Sequence, residues 1–173
     1  HATVQVYEDT SGVAPGEHVF GSGMPLSVEL GPGLIGTIYD GIQRPLERLR
    51  DQSGVFIERG IVAPALDRTR RWMFVPAKHV GDRVEPGDVL GTVAETPQVE
   101  HRVLVPHGVF GAVSEIADPA EYTVTDVVAR IETDDGTRAL PMVDRWPIRR
   151  PRPVAARLSA ERPLVTGQRV IDT

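Results

Sequence analysis

The chain has 173 residues, 40% of them apolar and 25% charged, which suits one globular domain or two small ones with a real core. The absence of cysteine excludes disulfides, thiol catalysis and zinc–thiolate sites, and a formal net charge of −5 gives no drive toward nucleic acid or anionic lipid. No run of roughly 18 apolar residues occurs, so no segment reads as a membrane-spanning helix, and no charged-then-apolar signal peptide opens the chain.

With 17 glycines and 15 prolines, the chain is punctuated every several residues by types that interrupt helices. A mainly β protein of short strands and tight turns, with few short helices, is therefore expected. No initiator Met precedes His1, so the chain reads as an internal piece of a longer protein. Ala2–Tyr7 alternates apolar and polar side chains as a half-buried strand does. Ser11–Gly16 reads as a turn, and His18–Phe20 and Leu26–Leu30 continue the sheet. Three strands alone would leave two open edges, so residues 1–34 are expected to complete a β-barrel whose first part lies elsewhere.

Gly31-Pro32-Gly33 predicts a sharp turn, and Leu34–Tyr39 a further strand ending at Asp40-Gly41. Pro45–Ser53 has the marks of a helix: Pro45 in its first turn, Leu46 and Leu49 on one face, and Gly54 after its end. Residues 35–59 thus form a connecting strand and helix.

Residues 60–146 read as a compact β module. Val80–Val93 alternates apolar residues around two Gly-Asp pairs, and a related phrase returns at Val103–Val113. Val127–Thr133 and Thr137–Val143 flank Asp134-Asp135-Gly136 as a hairpin. Residues 147–173 are a Pro/Arg-rich linker and a lead-in to something further, with Gly167–Asp172 long enough for a short helix. The basic cluster Arg149, Arg150 and Arg152 is broken by Pro151 and Pro153, which suits a solvated extended linker.

The search for chemistry is largely negative. A phosphate-cradling loop needs G-x-x-x-x-G-K-[ST], and no such string occurs. Lys78, the one lysine among 19 basic residues, has no glycine-rich run before it, and Gly21-Ser22-Gly23 and Gly31-Pro32-Gly33 read as turns. His18, His79, His101 and His107 show no metal-ligand spacing, and Glu100 and His101, adjacent in a strand, point to opposite faces. Asp82 and Asp88 follow glycines, where an Asp most often bonds local backbone. No G-x-S-x-G elbow is present. No residue is therefore expected to be catalytic, cofactor-binding or metal-ligating, and the chain itself is not expected to be an enzyme.

Gly81–Leu90 and Val105–Val113 resemble the paired phrases of the barrel-sandwich hybrid found in biotinyl and lipoyl carrier domains. Those carriers hold a modifiable lysine at the hairpin tip, and here the tip, Ala94–His101, has none. A free-standing binding or carrier-like domain without that lysine is the alternative reading.

Three stretches are similar to the catalytic A subunit of V/A-type rotary ATPases: Val4–Gly12 with Pro25–Leu34, Tyr39–Leu46, and Arg162–Thr173. The resemblance implies that residues 1–34 end the N-terminal β-barrel of such a subunit and that residues 60–146 are its non-homologous, or bulge, region. It also implies that residues 147–173 approach a nucleotide-binding domain whose phosphate loop lies beyond Thr173. The implied role is a structural module contacting the peripheral stalk, with A and B subunits of the catalytic hexamer as further partners. Mg-ATP and its hydrolysis or synthesis coupled to ion transport would belong to the parent protein. The implied location is cytoplasmic, in a soluble head peripheral to the membrane, with no part inserted in it and no nucleic-acid partner.

Overall fold

The computed structural model describes residues 6, 9–21, 23–58, 60–154 and 156–172. Along these run β1 (Ser27–Leu30), α1 (Leu46–Ser53), β2 (Arg71–Pro76), β3 (Arg83–Val84), β4 (Val89–Thr96), β5 (Val99–Leu104) and β6 (Gly111–Ile116). They are followed by β7 (Ala120–Thr123), β8 (Val127–Thr133), β9 (Gly136–Pro141), β10 (Asp144–Pro147) and α2 (Arg169–Asp172). The protein is mainly β with short helices, as its glycine and proline density predicts.

Eight strands form two four-stranded antiparallel sheets, ordered β5-β4-β2-β7 and β3-β6-β8-β9. Two apolar clusters fill the module. Leu66, Trp72, Phe74, Val93, Val103, Val124, Val128 and Met142 make the first, and Val84, Leu90, Val105, Val109, Val113, Ala129, Ile131 and Leu140 the second. Phe74, Leu90 and Ile131 are fully buried, each worth about 1.5–3 kcal/mol over an exposed side chain.

Strands β4 and β8 serve both clusters. A regular strand sends alternate side chains to opposite faces, so a strand covered on both faces can feed two cores. In β8 this alternation sends Val128 to the first cluster and its neighbour Ala129, with Ile131, to the second, beside a register shift between Val127 and Ala129. In β4 Leu90, within a register shift between Val89 and Gly91, lies in the second cluster and Val93 in the first. An extra residue on one strand bends it and raises its twist. Close packing of β6 on β8 depends on Gly111, where an added Cβ would lie 2.0 Å from the Glu132 carbonyl oxygen.

The third sheet pairs β1 with β10, from Ser27 opposite Pro147 to Leu30 opposite Asp144. It joins two stretches assigned to separate units from the sequence. The strand expected over Ala2–Tyr7 lies outside the described residues except for Val6. His18–Phe20 forms no strand, and Val19 and Phe20 are exposed. Among the described residues no partner strand takes the hydrogen bonds of this apolar stretch.

Leu34–Tyr39 is also not a strand. Its backbone donors go elsewhere: Gly33 and Ile35 N–H to the Glu95 carboxylate, and Thr37 N–H back to the Leu34 carbonyl at 3.3 Å. Only Tyr39 makes a lone bridge, opposite Pro45. The helix α1 forms as expected, with Pro45 preceding its first residue and the Gly54 N–H closing it on the Arg50 carbonyl at 2.7 Å. Leu49 is buried, whereas Leu46 on the same helix is partly exposed.

Candidate functional site

The residues singled out for chemistry stand apart from one another. The β4–β5 turn lies at Pro97-Gln98, where Thr96 Oγ1 accepts the Gln98 and Val99 N–H groups. Lys78 is not at that tip: its Nζ meets Asp88 Oδ2 at 3.1 Å. The Lys78 ammonium holds the Asp88 carboxyl below its ordinary value, with the Glu85 N–H adding to the effect. Asp82 accepts the His79 N–H at 2.8 Å. Both aspartates thus close the turns their glycines open.

The histidines have four different surroundings. His18 lies near the Phe20 ring, His79 beside Asp82, His107 edge-on to Trp146, and His101 beside Glu95. Among the described residues, no group of three or more His, Asp or Glu side chains converges as a metal site.

Two carboxylates do organise their surroundings. Glu95, on β4, has a side chain only 4% exposed. Its Oε1 accepts the Gly33 N–H at 2.7 Å and the Ile35 N–H at 3.0 Å, and its Oε2 faces His101 Nδ1 at 3.9 Å. Gly33 has φ +107, a conformation that favours glycine, and a Cβ there would press on the Trp72 ring of β2 at 3.3 Å. Burial lowers the His101 pKa and the nearby Glu95 charge opposes the shift. Nothing in the sequence marked Glu95, which reads as an ordinary polar residue near a hairpin tip.

Glu29, on β1, is the second. Its Oε1 pairs with Arg68 and with Arg145 Nη2, the latter at 3.0 Å on β10. Its backbone is held from the other edge by Gln43, whose side-chain amide accepts the Glu29 N–H and donates to the Glu29 carbonyl, both at 2.7 Å. Glu29 Oε2 and Arg68 Nη1 are buried without a hydrogen-bond partner among the described residues. A cavity of about 550 Å³ adjoins this cluster, bordered by Leu26, Glu29, Gln43, Ala63, Arg68 and Arg145.

Another groove, about 640 Å³, runs past Arg83, Glu85, Asp88, Phe110, Glu132 and Asp134. Four carboxylates against one guanidinium present the wrong field for a triphosphate. No helix of the described residues is long and apolar enough to cross a membrane.

Residues 63–149 match the family model described as the ATP synthase alpha/beta subunit barrel-sandwich domain. Over 173 residues the chain is 56% identical to the A subunit of the A-type ATP synthase of Methanopyrus kandleri, covering 99% of this chain and 29% of that protein. It is 53% identical to the corresponding protein of Pyrococcus abyssi and 56% to that of Thermococcus kodakarensis, spanning 17% and 30% of their lengths. The paired Gly-Asp phrases, the two sheets they build and the family match agree: the chain, which spans less than a third of these relatives, belongs through residues 63–149 to the ATP synthase alpha/beta subunit barrel-sandwich family.

Proposed function

We propose that this chain is the non-catalytic structural module of the A subunit of a V/A-type rotary ATP synthase or ATPase, presenting its β module to the peripheral stalk. The observation that carries the reading is the barrel-sandwich match over residues 63–149, set within a likeness to the A subunits of A-type ATP synthases that covers 99% of the chain. Two cores threaded by shared strands suit a load-bearing task, since a static contact must resist the torque of the rotor. A barrel-sandwich tip without a lysine gives no support to a carrier role.

In this reading Mg-ATP binds elsewhere in the whole protein, at interfaces between A and B subunits, and its turnover is coupled to ion movement through a membrane sector. The head is cytoplasmic and peripheral to the membrane. Residues 1–34 belong to the crown barrel, 35–59 connect, 60–146 form the bulge, and 147–173 lead toward the nucleotide-binding domain. Exposed Val19 and Phe20 early in the chain and Leu158, Leu164 and Val165 late in it supply apolar surface for packing against the remainder of the protein and its neighbours.

Calorimetric titration of the chain with the peripheral-stalk heterodimer, with Mg-ATP as a parallel ligand, tests the reading. Stalk binding at about micromolar affinity or better without heat from ATP is expected. Silence from the stalk removes the anchoring role, and heat from ATP removes the non-catalytic assignment.

A further inference from the structure

Glu95 divides its carboxylate between two tasks. Oε1 holds the Gly33 and Ile35 amides, and Oε2 faces the His101 ring on the adjacent strand at 3.9 Å, beyond hydrogen-bond distance. The segment 31–35 is therefore a strap lying on the module, buried at Gly31 and Pro32 and tied beyond them by one nearly buried side chain. Leu30, where β1 runs into the strap, lines a small cavity of about 140 Å³ together with His101, Met142 and Val143, so the strap's root helps to enclose the ring. The other charged groups around that cavity are Arg102 on β5, Asp144 on β10 and Arg152 beyond it. On the strap side, Tyr39 lies near enough to Glu95 to feel its charge.

We propose that Glu95 and His101 form a proton-sensitive clasp on the strap, closed while His101 is neutral and loosened when His101 takes up a proton. Burial holds the proton affinity of the ring down, so an opened strap that exposes the ring binds a proton more readily. By linkage, each proton taken up then favours the opened form. The sign follows: closure is fully supported above the ordinary histidine value of about 6.5 and is lost progressively as pH falls below it. Geometry acts in the same direction. At 3.9 Å a protonated Nδ1 can bond Oε2 only if ring or carboxylate moves, and any movement of the carboxylate competes with the two amides on Oε1.

The test is amide hydrogen exchange of the 173-residue chain, read at Gly33 and Ile35 from about pH 7.5 to about 5, with β8 amides as internal reference and the His101 ring titrated in the same samples. Corrected for intrinsic exchange, protection at both amides is expected to fall several-fold relative to β8, in step with the ring. In His101→Gln, protection at Gly33 and Ile35 stays level across that range, and in Glu95→Gln it is low throughout. Level protection in the unsubstituted chain, or the same fall in His101→Gln, overturns the proposal. Should Glu95→Gln fail to fold, the comparison of the unsubstituted chain with His101→Gln carries the test alone.

Discussion

Val128 and Ala129 are adjacent in β8 yet lie in different cores, Val128 with Trp72 and Phe74, Ala129 with Leu90 and Val113. Ordinary strand alternation separates them, and with Leu90 and Val93 of β4 likewise divided between the clusters, each core depends on strands that also build the other. Damage in one cluster is therefore transmitted to its neighbour through backbone rather than through side-chain contact alone.

Phe74→Ala in the first cluster is expected to cost about 3–5 kcal/mol and Ile131→Ala in the second about 2–5 kcal/mol, since both side chains are fully buried. Shared strands predict one unfolding transition in each variant. Urea unfolding followed by tryptophan fluorescence and far-UV dichroism checks this, and a second transition in either variant would show that the cores unfold separately.

Gly111→Ala is expected to destabilise by about 1–3 kcal/mol or more, because its Cβ has no room before the Glu132 carbonyl and β6 must part from β8. Gly41→Ala is the control: nothing lies within 4 Å of its Cβ, and a change within about 0.5 kcal/mol is expected. Thermal or urea midpoints of the two variants side by side distinguish close approach from a general dislike of alanine in turns.

Local features were legible where a residue carries its own instruction. Pro45 and Gly54 bracket α1, and Asp134-Asp135 turns β8 into β9, because φ restriction and turn chemistry act within a few residues. The bulges were not legible, since Leu90 and Gly91 look like ordinary members of an alternating run until a partner strand sets the register. Leu34–Tyr39 has a strand's composition, but its Ile35 N–H, like that of Gly33 just before it, goes to Glu95 about sixty residues away. The β1–β10 ladder was equally hidden, for Glu29 and Arg145 meet across 116 residues with no local sign of the pairing. What organises Glu29 and Glu95 is which backbone groups need a partner once the sheets exist, a property of the assembled fold.

Gln43→Ala is expected to cost about 1–3 kcal/mol, with the loss concentrated at β1. The Gln43 amide stands where a neighbouring strand would, satisfying both the N–H and the carbonyl of Glu29. Its backbone sits at φ +64, so alanine there gives up both bonds while keeping the strained conformation. Faster amide exchange at Glu29, with β8 unchanged, is the expected readout; equal loss at both would assign Gln43 to global stability instead.

Asp67 gives the acid limb of the stability profile a specific origin. Its carboxylate accepts the Thr69 hydroxyl and N–H, both at 2.7 Å, and the Arg70 N–H at 3.2 Å, while Arg48 on α1 pairs with Oδ2 at 2.8 Å. The Thr69 bonds, with Arg48 and Arg70 adding to them, hold its pKa well below the usual carboxylate range. A folded-state pKa depressed in this way stabilises the protein above the unfolded value of about 3.9, and the contribution is lost as pH falls below it. Asp67→Asn should therefore be less stable than the unsubstituted chain at about pH 7, with the gap closing on acidification below about 3.9. Urea unfolding at a series of pH values measures this gap. A gap that stays constant to the lowest pH would mean that hydrogen-bond geometry, and not the charge of Asp67, joins α1 to the approach of β2.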